Sequence, residues 1–194
     1  DVTNGSTSLS GSTVTYTPTA NYNGTDTFTF KANDGTDDSN TSTVTITIAA
    51  ANDAPTTNDI TISGNEDTVL EGTLDGTDID GDDLTFVIES QPSNGTATIT
   101  SDGKTVQYDP DNNFNGSDTF TFKANDGTVD SNTATATVTV NAVNDAPTTN
   151  DINVTIDENR IARIVGINLD GADVDGDDLT YSIVSNASNG TTSI

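Results

Sequence analysis

The stretch that decides the fold runs from Phe114 to Thr128 and reads FNGSDTFTFKANDGT. A nearly identical copy lies 92 positions earlier (114 − 22), at Tyr22–Thr36, with one Tyr/Phe and one Thr/Ser exchange. In both copies apolar and polar residues alternate before an Asn-Asp-Gly sequence, which predicts a β-strand that ends in a turn. Because strand and turn recur at a distance typical of a small domain, the sequence indicates a tandem array of repeats.

Two further elements recur and set the boundaries of the repeats. The linker NDAPTTNDI at Asn52–Ile60 returns unchanged at Asn144–Ile152. The acidic stretch DGTDIDGDDLTF at Asp75–Phe86 returns, with conservative changes, at Asp170–Tyr181. We therefore predict three units, namely the C-terminal half of one repeat, a complete repeat, and the N-terminal half of the next, at residues 1–51, 52–143 and 144–194.

The complete repeat contains seven short runs of period-2 alternation with turn signals between them and no helical period. Seven strands in a domain of this size predict an all-β fold, a Greek-key β-sandwich of the immunoglobulin or cadherin-like type, repeated in tandem. The runs, labelled A to G, are 59–63, 68–74, 84–89, 95–100, 105–108, 119–124 and 133–140. Residues 1–51 would then supply strands D to G, and residues 144–194 would supply strands A to C with the start of D.

Composition excludes several classes of function. The chain has no His and no Cys, so the usual nucleophile–base pairs and soft-metal sites are excluded. The net charge is −26, which makes nucleic acid and anionic membrane surfaces poor partners. No apolar run reaches the roughly 20 residues that a membrane-spanning helix needs, so direct membrane insertion is not expected.

The acidic residues are the main candidates for a functional site. Nearly all of them are Asp, which is typical of turns and of oxygen-ligand cation sites. If consecutive strands alternate in direction, the acids of the B–C and F–G turns meet those of the entering linker at one end of the repeat. The acids of the A–B and E–F turns meet the leaving linker and the following repeat at the other end. The predicted metal ligands are Asn52, Asp53, Asp78, Asp80 and Asp126 at the first end, and Glu66, Asp118, Asn144, Asp145, Asp173 and Asp175 at the second.

Two other interpretations of these acids exist. They could be turn and capping residues on an acidic surface. This alternative stays open, and Asp82, Asp83, Asp177 and Asp178 fit both interpretations equally. An EF-hand loop starting at Asp78 would place Glu89 at its twelfth position. The repeat excludes this loop, because the equivalent of Glu89 is Val184.

The order and spacing of the motifs resemble the cadherin-like repeats of large bacterial surface proteins of the RTX-adhesin type, and more distantly cadherins. The stretches that carry the resemblance are NEDTVLEGT (65–73), TDIDGDDLTFVI (77–88), FKANDG (122–127) and NDAP (52–55 and 144–147). The resemblance implies Ca²⁺ at the junctions between repeats, where it stiffens an extended extracellular rod. The family's Asp-Arg-Glu motif before strand F is replaced here by Asn115-Gly116-Ser117-Asp118, so we expect one or two ions at a junction.

We therefore predict a structural repeat of an extracellular or cell-surface stalk, fibre or filament, without enzyme activity, in adhesion or surface assembly. The alternative is a glycan- or protein-binding module of a surface adhesin. The expected partners are neighbouring repeats of the same protein, head to tail. We also expect the two half-repeats to be completed by another chain or by a longer polypeptide. Otherwise they would expose the core residues Phe28, Phe30, Ile164 and Tyr181.

Overall fold

Every regular element of the chain is a β-strand in the computed structural model, which describes residues 2–156 and 165–194. The predicted all-β fold class is confirmed for these residues. The region from residue 52 to residue 141 contains nine strands. They are β5 (Thr56–Thr57), β6 (Ile60–Asn65), β7 (Leu70–Thr73), β8 (Gly76–Thr77), β9 (Thr85–Ser90), β10 (Gly95–Ile99), β11 (Thr105–Pro110), β12 (Gly116–Asn125) and β13 (Ala134–Asn141).

Two sheets of this region pack against each other. One has four strands in the order β6-β13-β12-β9, and the other has three in the order β10-β11-β7. Neighbouring strands are antiparallel, with the exception of β6 and β13, which are parallel and place Ile60 opposite Ala136 and Asn65 opposite Asn141. The first and the last long strand of the region therefore lie side by side and point in the same direction.

The alternating sequence of these strands divides each sheet into an inner and an outer face. Along β12 and β13 the apolar side chains are buried, whereas the threonines between them face outward and are exposed or half-buried. Burial of each large side chain contributes about 1.5–3 kcal/mol. The core consists of Ile62, Leu70, Leu74, Ala97, Val106, Tyr108, Phe120, Phe122, Ala134, Ala136, Val138 and Val140, with Phe86, Ile88 and Phe114 packed at its margin.

The linker at the start of the predicted repeat forms a short strand, β5, which the sequence patterns did not predict. Pro55 is fully buried. The backbone of Thr57 exchanges hydrogen bonds of 3.0 Å with the side-chain amide of Asn132. Strand β5 forms here and pairs with β8, which follows the predicted B strand. The contacts of Pro55 and Thr57 hold β5 in an extended conformation beside β8. The central repeat therefore has nine strands rather than the seven predicted.

The N-terminal region repeats half of this arrangement. Strands β1 (Gly5–Ser10) and β2 (Thr13–Pro18) form one hairpin, and β3 (Gly24–Phe30) and β4 (Ser42–Ile48) form another. They match β10–β11 and β12–β13. Phe30 is 50% exposed, whereas its equivalent Phe122 is fully buried beneath the second sheet of the central repeat.

The described residues of the C-terminal region contain fewer strands than the sequence predicts, and part of the predicted strand B lies outside them. Its described residues form only β14 (Thr148–Thr149) and β15 (Gly171–Ala172), which pair with each other. Their equivalents in the central repeat are β5 and β8. In the central repeat, predicted strand A (β6) pairs with β13, strand B (β7) with β11, and strand C (β9) with β12. The described part of residues 144–194 has no such partner strands. Tyr181 is 37% exposed, and Ile164 lies outside the described residues.

Candidate metal centres at the two linkers

The turn after β8 folds around the carboxylate of Asp78. Its Oδ1 atom accepts hydrogen bonds from the backbone N–H groups of Asp80, Gly81 and Asp82, at 2.8, 3.1 and 3.3 Å. Gly81 has a φ of 84°, a conformation that side chains rarely adopt and that lets the chain curl around one oxygen. As a result, Asp78, Asp80 and Asp82 each offer a carboxylate oxygen within 4.8 Å of the others.

The first linker is held against this turn by its own polar groups. The backbone N–H of Asp53 donates to Oδ2 of Asp80 at 2.8 Å. The side-chain amide of Asn52 donates to Oδ2 of Asp126 at 2.9 Å. The bond from Asn52, together with one from the backbone of Val129, holds the pKa of Asp126 below its ordinary value. The five residues predicted for this end are therefore brought together.

One oxygen at this first site stands out. Oδ2 of Asp78 is buried and has no hydrogen-bond partner among the described residues. A buried carboxylate oxygen without a donor is unfavourable, because it has lost its hydration and no hydrogen bond replaces it. A cation held by Asp78, Asp80 and Asp82 would satisfy it, and carboxylate oxygens are the ligands that hard divalent ions prefer.

The second linker passes the turn between β6 and β7. Glu66 is only 3% exposed, and its Oε1 atom accepts a hydrogen bond from the backbone N–H of Val143 at 2.6 Å. Next to it, Asp67 has a φ of 56° and accepts a hydrogen bond from the backbone of Asn113 at 3.0 Å. This turn therefore presents two adjacent carboxylates to the linker that leaves the repeat.

The acidic turn of the following repeat also lies at the second linker. The backbone N–H of Asp145 donates to Oδ2 of Asp175 at 2.7 Å, just as Asp53 donates to Asp80 at the first linker. Oδ2 of Asp145 is buried and has no hydrogen-bond partner among the described residues. Desolvation raises the pKa of Asp145, and the negative charges of Asp67, Asp175, Glu66 and Asp173 raise it further. Several carboxylates of the described residues therefore crowd together at the second linker.

Asn144 keeps its predicted place in the second linker, where its amide donates to the carbonyl of Asp145 at 2.7 Å. The predicted ligand sets omit Asp67, and the sequence fits Asp82 equally as a ligand or as a turn residue. The structure places Asp82 beside Asp78 and Asp80, and Asp67 near Asp145. Asp67 directly follows Glu66 and has a left-handed backbone conformation.

The predicted turn position of Asp118 is wrong. It lies within β12, is 6% exposed, and accepts four hydrogen bonds. The donors are the backbone N–H groups of Ser93, Asn94 and Thr119 and the hydroxyl of Tyr108. Asp26 binds the equivalent groups of the N-terminal region. Since both of its oxygens are already engaged, Asp118 is an internal anchor and not a candidate ligand.

The chain belongs to the bacterial Ig domain family, whose sequence model matches residues 1–47 and 52–141. Domains of this family are typically not enzymes. In the part of the chain that the structure describes, no helix is long and apolar enough to cross a membrane.

Two similar proteins are known from Dictyostelium discoideum. Integrin beta-like protein A is 32% identical over 111 residues, which cover 50% of this chain and 6% of that protein. Integrin beta-like protein B is 29% identical over 138 residues, which cover 63% of this chain and 7% of that protein. The chain therefore spans only a small fraction of the length of these relatives.

Solved structures resemble the chain only loosely. An endo-fucoidan hydrolase of glycoside hydrolase family 107 aligns over 74% of this chain and 24% of its own, with 25% identity and a TM-score of 0.39. Domains 4 and 5 of the S-layer protein SbsC align over 66% of this chain and 62% of their own, with 19% identity and a TM-score of 0.29.

Proposed function

We propose that the chain is a structural segment of an extended extracellular stalk or fibre, in which Ca²⁺ at the linkers between cadherin-like repeats stiffens the array. It belongs to a surface protein, of the RTX-adhesin type, that acts in adhesion or surface assembly. The partners of each repeat are its neighbours in the same protein, head to tail. Membership of the bacterial Ig domain family supports a non-enzymatic surface role.

The observation that carries the proposal is the pair of buried carboxylate oxygens without donors, one on Asp78 and one on Asp145. Each lies where a linker crosses an acidic turn, and the linker backbone is already hydrogen-bonded to that turn. An ion at the first site would tie the linker to the acidic turn of the central repeat. At the second site the candidate ligands come from two repeats, Glu66 and Asp67 from the central one and Asp173 and Asp175 from the next. An ion there would therefore reduce the freedom of one repeat to bend relative to the next.

The ligand chemistry favours Ca²⁺ over other cations. The chain offers oxygen ligands only, since it has neither His nor Cys. Ca²⁺ accepts six to eight oxygens in irregular geometry, including amide and backbone carbonyl groups, whereas Mg²⁺ requires a near-ideal octahedron. The first site would use Asp53, Asp78, Asp80 and Asp82 with Asn52, and the second Glu66, Asp67, Asp145, Asp173 and Asp175 with Asn144.

Isothermal titration of the intact chain with Ca²⁺ and with Mg²⁺ tests the proposal. We expect Ca²⁺ to bind with a Kd of about 10⁻⁴–10⁻³ M, as in other extracellular modules, and Mg²⁺ to bind more weakly. Asp78→Asn should abolish binding at the first linker and Asp173→Asn at the second. Asp37→Asn, an exposed residue remote from both linkers in the sequence, changes the net charge equally and should leave binding intact. Equal titrations for Ca²⁺ and Mg²⁺, or for all three variants, would contradict the proposal.

A further inference from the structure

The acidic turn at the first linker also carries an apolar side chain. Ile79 lies between Asp78 and Asp80 and is 63% exposed. A single exposed apolar residue needs no explanation by itself. The following repeat, however, has Val174 at the same place in its own acidic turn, and Val174 is 57% exposed. Both turns therefore hold a β-branched apolar side chain at the point where two repeats meet.

Ile79 lines a cleft between the central repeat and the N-terminal region. The cleft has a volume of about 490 Å³, and on the side of the N-terminal region it is lined by Asn21, in the loop between β2 and β3. On the side of the central repeat it is lined by Asp53, Ala54, Thr56, Thr77, Asp78 and Ile79. The surface around Ile79 therefore combines methyl groups with the neutral amide of the neighbouring loop.

The central repeat holds its side of the cleft in a fixed shape. Strands β5 and β8 pair Thr56 with Thr77, and the hydroxyl oxygens of these two residues are 3.0 Å apart. The turn that carries Ile79 is closed by three backbone N–H groups that donate to Oδ1 of Asp78. Because this backbone is already ordered, a contact made by Ile79 does not have to order a flexible loop first.

The loop on the other side of the cleft has the same conformation in both repeats. Asn21 and its equivalent Asn113 have left-handed backbones, with φ of 59° and 57°. The backbone N–H of Asn113 donates to Asp67, which is one of the carboxylates that surround Asp145 in the second linker. This loop therefore approaches the linker at both junctions.

Electrostatic repulsion does not oppose a contact at the first junction. The acidic residues that line the cleft, Asp53 and Asp78, belong to the linker and to the central repeat, whereas Asn21 is neutral. Asp26, the acidic residue nearest to Asn21 in the sequence, is buried and hydrogen-bonded within the N-terminal region. At the second junction, by contrast, carboxylates of two repeats face each other.

From this arrangement we infer that Ile79 is the contact through which the central repeat packs against the repeat before it. When the cleft closes, the side chain of Ile79 leaves water and packs against the loop that contains Asn21. Val174 takes the same role against the loop that contains Asn113. Each junction thus has an apolar contact that limits bending without an ion. The inference goes beyond the proposed Ca²⁺ sites and does not depend on them.

The distance between two spin labels tests the inference on the intact chain, which has no native Cys. The labels are attached at Thr45→Cys in β4 and at Thr98→Cys in β10, two exposed strand positions that do not line the cleft. Pulsed electron paramagnetic resonance is recorded in EGTA, so that ion binding does not contribute. We expect one dominant distance, because the closed cleft holds the two units in one arrangement.

Three variants separate the contact from a general loss of apolar surface. Ile79→Ser should lower the population of the dominant distance relative to all others about fivefold or more, because the isoleucine side chain is no longer removed from water. Ile79→Val should retain the dominant distance, since Val174 occupies the equivalent position. Val87→Ser is the matched control, since Val87 is 50% exposed on β9 and does not line the cleft. Urea unfolding of the same variants checks that the central repeat remains folded.

A variant on the other side of the cleft tests whether the two side chains meet. Asn21→Gly removes the side chain and tolerates the left-handed backbone at this position. It should broaden the distance distribution as well. If Ile79 and Asn21 form one contact, the double variant should be no broader than Ile79→Ser alone.

Three results would overturn the inference. The first is an unchanged distance distribution in Ile79→Ser, and the second is equal broadening in Val87→Ser. The third is a broad distribution in EGTA for the labelled chain without further substitutions. If that broad distribution becomes narrow in Ca²⁺, the proposed ion sites are supported while the apolar contact is contradicted.

Discussion

At the scale of single residues, the aspartates of this chain divide into two kinds with opposite electrostatics. Asp118 and Asp26 are buried and surrounded by donors, whereas Asp145 is surrounded by other carboxylates. The sequence alone does not distinguish the two kinds of aspartate. The difference lies in whether backbone N–H groups or negative charges face the side chain in the folded chain.

Asp118→Ala should destabilise the central repeat by roughly 2–4 kcal/mol, because it leaves the buried N–H groups of Ser93, Asn94 and Thr119 without an acceptor. Urea unfolding followed by circular dichroism measures the loss. Asp111→Ala is the control, since Asp111 is exposed and, among the described residues, forms hydrogen bonds only through its backbone N–H and carbonyl. Equal stability of the two variants would show that Asp118 does not anchor the turn.

The same residue should make the repeat sensitive to acid. Although burial raises the pKa of Asp118, the hydrogen bonds from Asn94, Ser93 and Thr119 outweigh it and lower the pKa below its ordinary value. Its stabilising contribution is therefore complete above the unfolded pKa of about 3.9 and disappears as the pH falls through the folded pKa. Urea midpoints between pH 7 and pH 2 should fall more steeply for the wild type than for Asp118→Ala. Parallel curves would contradict this.

Asp145 should behave in the opposite way. Because the pKa of Asp145 is raised, its negative charge destabilises the folded chain. This destabilisation is complete above the folded pKa and disappears below the unfolded pKa. Asp145→Asn should therefore slow amide exchange in the second linker at pH 7 in EGTA, and weaken Ca²⁺ binding there. If the variant exchanges faster in EGTA, the crowding of carboxylates is not the dominant effect.

At the scale of elements, the long strands of the central repeat were predictable from the sequence, and its two-residue strands were not. Period-2 alternation identified β12 and β13, since every second residue packs in the core. The short strands β5 and β8 carry no such pattern, because their order comes from Pro55 and from the contact of Thr57 with Asn132. The linker clusters were predictable from the spacing of Asp78 and Asp80. The anchor role of Asp118 was not predictable, because two of its four donors, the N–H groups of Ser93 and Asn94, lie 25 and 24 residues away in the chain.

The β10–β11 hairpin gives a prediction at this scale. A Cβ atom at Gly95 would lie 2.5 Å from the backbone oxygen of Asp109, which cannot move without shifting the neighbouring strand. Gly95→Ala should therefore destabilise the repeat by about 1–3 kcal/mol, as other overpacked sites do. Thr96→Ala, at the next and exposed position, serves as the control in the same urea experiment. An unaffected midpoint for Gly95→Ala would mean that the hairpin has room to open.

At the scale of the whole molecule, stiffness as well as stability should depend on Ca²⁺. The carboxylates at the second linker belong to two different repeats, and repulsion between them falls when an ion lies among them. Small-angle scattering at matched ionic strength should show a longer maximum dimension and less flexibility in Ca²⁺ than in EGTA. Identical scattering under both conditions would contradict the role of the linkers.

The double variant Asp173→Ala, Asp175→Ala should abolish the scattering response at the second linker while the central repeat stays folded. Asp173 is half-buried and Asp175 is exposed, and neither takes part in the core. Circular dichroism monitors the fold in parallel. Loss of the central repeat in this variant would instead assign the two acids a structural role within a domain.

The parallel pairing of β6 with β13 also decides when a repeat can finish folding during synthesis. β6 must wait for a partner that the ribosome makes about 76 residues later, from Ile60 to Ala136. Contacts between such distant segments slow folding. Meanwhile the equivalent strand of the preceding repeat, β4, is already available and has the same alternation of threonine and apolar residues. Neighbours of similar sequence are prone to exchange strands. A long array of these repeats therefore folds correctly only if each unit closes before the next one competes for its strands.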